Sequence, residues 1–147
     1  MRPNPDTHDA LLRKFRTWFK REPEVAAYAP GRIEVIGNHT DYNEGFVCSA
    51  AINNGTWFAA ARRADKQCRL VAGDLMREAA FCTCCAEPVT ENRWANYVIG
   101  VLAGLNERAE FPCGFDAMFF GDIPLGAGLS SSAALEISAG LALAKLY

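Results

Sequence analysis

DIPLGAGLSSSAA, residues 122–134, runs from a short apolar segment through Gly126 and Gly128 into Ser130, Ser131 and Ser132 and then into alanine. Upstream, GFDAMFFGDIP (114–124) has the apolar, aromatic composition of a strand; downstream, LSSSAALEISAGLALAKLY (129–147) has the Ala and Leu content of a helix buried against a sheet. The unit is strand, glycine-rich loop, helix. Such a loop exposes backbone N–H groups, and the helix start adds unpaired donors and a favourable dipole, which suits an anion and phosphate above all. The serines offer hydroxyls to phosphate oxygens or to a magnesium ion. The loop lacks the Gly-Lys-Ser/Thr of a Walker A motif. Taken alone, the same residues also describe a helix that serine merely caps.

A second polar stretch lies at residues 30–43, PGRIEVIGNHTDYN. The turn formers Pro30-Gly31 and Gly37-Asn38 bracket the apolar run Ile33 to Ile36, so the segment reads as loop, strand, loop with polar side chains converging at its ends. Arg32, His39 and Asp41 are the candidates for a site. Gly37 and Gly45 read as positions permitting φ > 0, Tyr42 as partly buried packing, and Asp41 and Asn43 equally suit a turn.

Around these stretches, Leu11, Phe15 and Phe19 recur every four residues, which predicts an amphipathic helix over 7–20, ended by Pro23. Apolar runs of strand length follow near 25–29, 33–36, 46–52, 56–63, 68–73 and 78–84, with a turn at 64–67. Residues 91–108 switch to helical period, with Trp94, Val98, Val101, Leu102 and Leu105 assigned to one face and Trp94 and Tyr97 to core packing. Glu136 reads as a favourable acid in the first turns of the last helix. No repeat or linker divides the sequence, so residues 1–147 are treated as one domain or its first part. After Leu146-Tyr147 there is no capping glycine, polar tail or proline, and the expectation is a truncated domain whose closing LALAKLY needs partners from a missing half.

Composition narrows the function. Fifteen Lys plus Arg against 17 Asp plus Glu leave no basic surplus for a nucleic-acid backbone. No stretch has the apolar length of a membrane span, and the first residues lack the apolar core of a signal peptide, so the expectation is a cytoplasmic protein with neither nucleic-acid nor membrane partners. The six cysteines lack the paired CxxC spacing of zinc sites and read as reduced, small hydrophobes.

PLGAGLSSSAA closely resembles the nucleotide-phosphate loop of the kinases of galactose, homoserine, mevalonate and phosphomevalonate, the GHMP family. APGRIEVIGNHTDYNEGFV resembles the galactokinase signature, and RWANYVIGV at 93–101 looks like the helix that follows the early strands in galactokinases. The resemblance spans most of the chain in the family's order. It implies an α/β (α+β) fold, a mixed sheet backed by helices like the second domain of a small-subunit ribosomal protein, with only the early part present. The implied reaction is transfer of the γ-phosphoryl group of ATP to the anomeric hydroxyl of galactose, with ATP and Mg2+ as cofactors. By the same resemblance Arg32 stabilises charge on the transferring group, and Asn38, His39, Thr40 and Asp41 line the sugar pocket. Gly126, Ala127, Gly128, Leu129, Ser130, Ser131 and Ser132 hold the ATP phosphates, with Ser132 also a magnesium ligand.

These roles suit phosphoryl transfer, which needs positioning and neutralisation of charge more than covalent chemistry. Two departures stand out. Galactokinases usually carry glutamate at the position of Asn38, and the family's catalytic aspartate, a further acidic magnesium ligand and its third glycine-rich motif correspond to positions beyond Tyr147. A relative acting on another monosaccharide and a catalytically silent sugar and ATP sensor are therefore alternatives, and the isolated 147-residue chain is expected to be inactive.

Overall fold

The computed structural model describes residues 3–37, 40–108, 111–124 and 126–147, and of Asp41 the backbone. Helix α1 spans Pro5–Phe19, capped by Asn4, whose Oδ1 accepts the Asp6 amide at 3.0 Å, and closed by Lys20 at φ 57°. Strands β1 (Val25–Ile36), β2 (Cys48–Arg62), β3 (Gln67–Ala72) and β4 (Arg77–Cys82) precede helix α2 (Ala95–Asn106). Strand β5 (Phe115–Gly121) then leads through the glycine-rich loop into α3 (Ser131–Leu146).

The five strands form one mixed sheet in the order β1-β2-β5-β3-β4, antiparallel except for the parallel pair β3–β5. The helices cover both faces. Along β2, Phe58 and Ala60 join the core beneath α2 and α3, while Ala59 and Ala61 join Leu11 and Phe15 of α1 on the other side. This period-two division explains why FAAA reads as an unbroken apolar run: the strand is buried on both faces.

Two paired segments of the sequence reading merge. Residues 25–29 and 33–36 are one strand, as are 46–52 and 56–63 apart from their outer residues. Pro30-Gly31 is not a turn but an irregularity within β1, where the register against β2 shifts between Pro30 and Arg32. Proline is tolerated there because β1 is a sheet edge. The closing segment finds partners among the described residues: Ala142, Leu143 and Leu146 are buried in the core, and the Tyr147 hydroxyl lies 2.9 Å from the carbonyls of Cys113 and Gly114. Of the cysteines only Cys68 behaves as a core hydrophobe, its thiol pushed up to about 12 by burial; Cys48, Cys84 and Cys85 are exposed.

Candidate functional site

The loop after β5 is anchored at its base. Asp122 accepts the Gly55 amide on Oδ1 at 2.8 Å, and its carbonyl accepts from Asn54 Nδ2 at 2.9 Å, so this carboxylate fastens β5 to β2. Gly126 (φ 71°) and Gly128 (φ 69°) then take left-handed conformations that let the chain fold back toward β1. The fold-back is close: the Arg32 amide donates to the Leu129 carbonyl at 3.1 Å, and a side chain on Gly31 would meet that oxygen at 2.7 Å. Arg32 and the glycine-rich loop, 97 residues apart at Leu129, are thus brought into contact through backbone.

Ser130 occupies the N-cap of α3 at φ 60°, ψ 42°, and its side chain makes no capping hydrogen bond. Serine therefore does not serve here as an ordinary cap. The first amides of α3 keep the unpaired donors and positive end of the dipole that attract an anion. Ser131 and Ser132 line a cavity of about 250 Å3 together with Thr56, Trp94, Tyr97, Phe119 and Ile123. A wider cleft of about 810 Å3 continues past Trp94 and Tyr97 to Asn96, Val101 and Glu136.

The core packing expected of Trp94 is found, whereas the assignment of Tyr97 to the core needs correction. The core face of α2 is Ala95, Val98, Ile99 and Leu102, whereas Tyr97 is 44% exposed and faces the cleft. Trp94 packs against the core through Phe119, ring centroids 5.5 Å apart, yet also lines both cavities, and its buried Nε1 has no hydrogen-bond partner. The sequence signal was the offset of Trp94, Tyr97 and Val101 from the core residues by one helical step, together with Gly100, whose missing side chain keeps the groove open.

Glu34 was also missed. Arg32 Nη1 donates to Glu34 Oε2 at 2.8 Å, and Ser49 Oγ donates to the same carboxylate at 2.8–2.9 Å, so the half-exposed guanidinium is steered by a pair of residues on the β1–β2 hairpin. Glu34 stands two residues from Arg32 on the edge strand β1, and its partner Ser49 lies opposite it on β2, a cross-strand pairing that local sequence does not display.

Beyond β1, Gly37 has φ 100° and residues Asp41–Asn43 form a short 3-10 turn. The Thr40 hydroxyl is directed at the carbonyls of Gly37 (2.7 Å) and Phe46 (3.2 Å), and its own carbonyl accepts the Gly45 amide at 2.8 Å. Thr40 thus closes the loop on itself. Asn38 and His39 lie outside the described residues, and Asp41 opens the 3-10 turn. Tyr42 is 70% exposed, which overturns its reading as partly buried packing.

Residues 13–62 match the galactokinase galactose-binding signature, and residues 96–147 match the GHMP kinases N terminal domain. A galactokinase of Haemophilus influenzae (strain Rd) is 44% identical over 127 residues, which cover 86% of this chain and 33% of that protein. The chain thus spans about a third of the length of the curated relatives it matches. The crystal structure of Lactococcus lactis galactokinase complexed with galactose superimposes with a TM-score of 0.83 at 36% identity, over 95% of this chain and 37% of that one. Methanococcus jannaschii mevalonate kinase shares the fold at a TM-score of 0.69 and 19% identity, over 84% of this chain and 40% of that one. Both sequence signatures and the shared fold point the same way: the chain is similar to the N-terminal part of galactokinases of the GHMP kinase family.

Proposed function

We propose that this chain is the N-terminal, ligand-recognising part, residues 1–147, of an ATP-dependent sugar 1-kinase that phosphorylates the anomeric hydroxyl of galactose. The observation that carries the reading is the contact between β1 and the loop, Arg32 N to Leu129 O at 3.1 Å, beside an uncapped helix start and an aromatic-walled cavity. The backbone of 126–132 would hold the ATP phosphates, because unpaired amides and the α3 dipole both favour negative charge. Trp94 and Tyr97 offer flat faces to the adenine ring.

Arg32, fixed by Glu34, would neutralise charge on the transferring phosphoryl group. Asn38, His39 and Asp41 would meet the sugar hydroxyls, with Thr40 shaping their loop. A magnesium ion, when bound, neutralises phosphate charge. The Ser132 hydroxyl suits it as one oxygen ligand, since magnesium takes its remaining ligands readily from phosphate and water. The rest of the catalytic machinery is assigned to further protein outside these residues, and a cytoplasmic location is proposed for the whole. Among the described residues no helix is long and apolar enough to cross a membrane.

A second reading rests on Asn38. An amide both donates and accepts, whereas the glutamate usual in galactokinases accepts only, so another monosaccharide is the alternative substrate. Two measurements test these readings. Titration of the chain with magnesium and a non-hydrolysable ATP analogue should give a saturable change in tryptophan fluorescence that Trp94→Phe abolishes; a flat titration would remove the nucleotide site. A protein containing this chain, incubated with ATP, magnesium and a sugar panel, should form galactose 1-phosphate fastest. Faster turnover of another sugar selects the second reading, and sugar binding without turnover selects a sensor.

A further inference from the structure

The turn that leaves β4, Cys82-Thr83-Cys84-Cys85, lies apart from the loop and cavity described above and gathers three of the six cysteines. Cys82 Sγ and Cys84 Sγ are 2.7 Å apart, closer than two non-bonded sulfurs ordinarily approach. The Cys84 amide also donates to Cys82 Sγ at 3.2 Å, and the Cys85 amide donates to the Cys82 carbonyl at 3.3 Å, so the turn wraps around the Cys82 sulfur.

Its middle residue is held from two sides. Thr83 donates from its amide and hydroxyl to the Lys66 carbonyl at 3.0 and 3.3 Å, and its own carbonyl accepts from Asn106 Nδ2 at 3.0 Å. The two sulfurs therefore meet because the backbone between them is fixed, not because two free rotors happen to coincide. The pair is also reachable, since Cys84 is exposed, Cys82 is partly exposed, and a cavity of about 300 Å3 lined by Lys66, Thr83, Cys84 and Asn106 opens beside them.

We infer that Cys82-Thr83-Cys84 is a redox modification site at which Cys82 reacts with a hydroperoxide and Cys84 resolves the product to a reversible disulfide. In the first step the Cys82 sulfur attacks a peroxide oxygen, an S–O bond forms and the O–O bond breaks. The Cys82 proton leaves with the other oxygen as water, or as alcohol from an organic peroxide. In the second step the Cys84 sulfur attacks the Cys82 sulfenic acid, an S–S bond forms, the S–O bond breaks, and hydroxide takes the Cys84 proton and departs as water. Two thiols thereby lose two electrons and the peroxide gains them; a dithiol reductant returns the pair to its starting state.

The local electrostatics divide the roles the same way. Donation from the Cys84 thiol, then from the Cys84 and Cys85 amides, and the charge of Lys66 hold the Cys82 thiol below its usual range, while the same sulfur contact pushes Cys84 up. A bridge across a single residue is constrained, which makes it reducible rather than structural.

The test treats the 147-residue chain with hydrogen peroxide, blocks remaining thiols, digests with trypsin and sequences the peptide of residues 78–93 by fragmentation. A bridge joining Cys82 to Cys84 should form about tenfold faster than oxidation of exposed Cys48 on its separate peptide, and dithiothreitol should remove it. In Cys84→Ser the reaction should stop at a Cys82 sulfenic acid that dimedone traps. Oxidation of Cys82 no faster than Cys48, a bridge that maps to Cys85, or unchanged bridge formation in Cys82→Ser would each overturn the assignment.

Discussion

Gly31 is the residue on which the approach of strand and loop depends. A β-carbon there would lie 2.7 Å from the Leu129 carbonyl oxygen and 3.0–3.1 Å from the ends of Ile52 and Ile123, and the nearest of these is backbone that cannot rotate away. Gly31→Ala should therefore push the loop off β1, break the Arg32 to Leu129 hydrogen bond and weaken binding of a magnesium and ATP-analogue complex by about tenfold, equivalent to ~1.4 kcal/mol. Isothermal titration calorimetry measures it, and unchanged affinity would show that the loop does not need this contact. Gly104 supplies the contrast. Nothing lies within 4 Å of a side chain added there, and it sits at an exposed position inside α2, so Gly104→Ala should raise stability by up to ~1 kcal/mol through helix propensity alone. Denaturant unfolding distinguishes the two glycines, one kept for space and the other free to change.

Helix α1 is an element whose attachment to the sheet has an apolar and a polar part. Leu11 and Phe15 are fully buried against Ala59, Ala61, Val71 and Met118, so Leu11→Ala should cost roughly 2–5 kcal/mol in a denaturant titration, a lost contact plus a cavity. At the helix end, Trp18 Nε1 donates to Glu78 Oε2 at 2.8 Å, and Arg69 donates to both oxygens of the same carboxylate at 2.8–2.9 Å, tying α1 to β3 and β4. Hydrogen bonding from Arg69, ahead of that from Trp18, holds the Glu78 carboxyl below its ordinary value of 4.5. A carboxyl depressed in the folded state takes up a proton more readily in the unfolded chain. Its stabilisation is therefore complete above pH 4.5 and is lost as the pH falls through the folded-state value. The Tm advantage of the unaltered chain over Glu78→Gln should accordingly be constant from pH 7 to 5 and shrink below that. An advantage that persists at low pH would assign it to packing instead.

Across the whole molecule, burial is unevenly shared. The sheet is sandwiched between α1 and the pair α2 and α3, yet the far end of the β1–β2 hairpin carries Val35, Ile36, Phe46 and Val47 in solvent, with Phe46 fully exposed. Side chains that bury nothing on folding contribute little to folding. Phe46→Ser should leave the unfolding free energy within about 0.5 kcal/mol and lower the binding of a hydrophobic dye. A larger loss of stability would mean that Phe46 packs in solution against something it does not touch here.

Local pattern determined a good part of this protein. The four-residue recurrence of Leu11, Phe15 and Phe19 gave α1, the apolar runs gave the strands, and Gly126 to Ser132 between an aromatic strand and an alanine-rich segment gave a loop opening a helix. Both motifs that carry the family were legible because their residues are contiguous. Tertiary structure alone decided what depends on distant partners. Pro30-Gly31 became part of a strand because β2 pairs across it, a contact invisible in a turn-forming dipeptide. Tyr97 was turned to a cleft because α3 and the sheet select which helical face is covered, whereas Val98 and Leu102 were already placed by the period of α2. Glu34, already beside Arg32 along β1, acquired Ser49 only when β2 paired with it, and the turn that carries Cys82 and Cys84 is braced at Thr83 by Lys66 and Asn106. A sequence specifies each segment's preference through its immediate neighbours, whereas the pairing of groups far apart along the chain is fixed by the packing that brings them together.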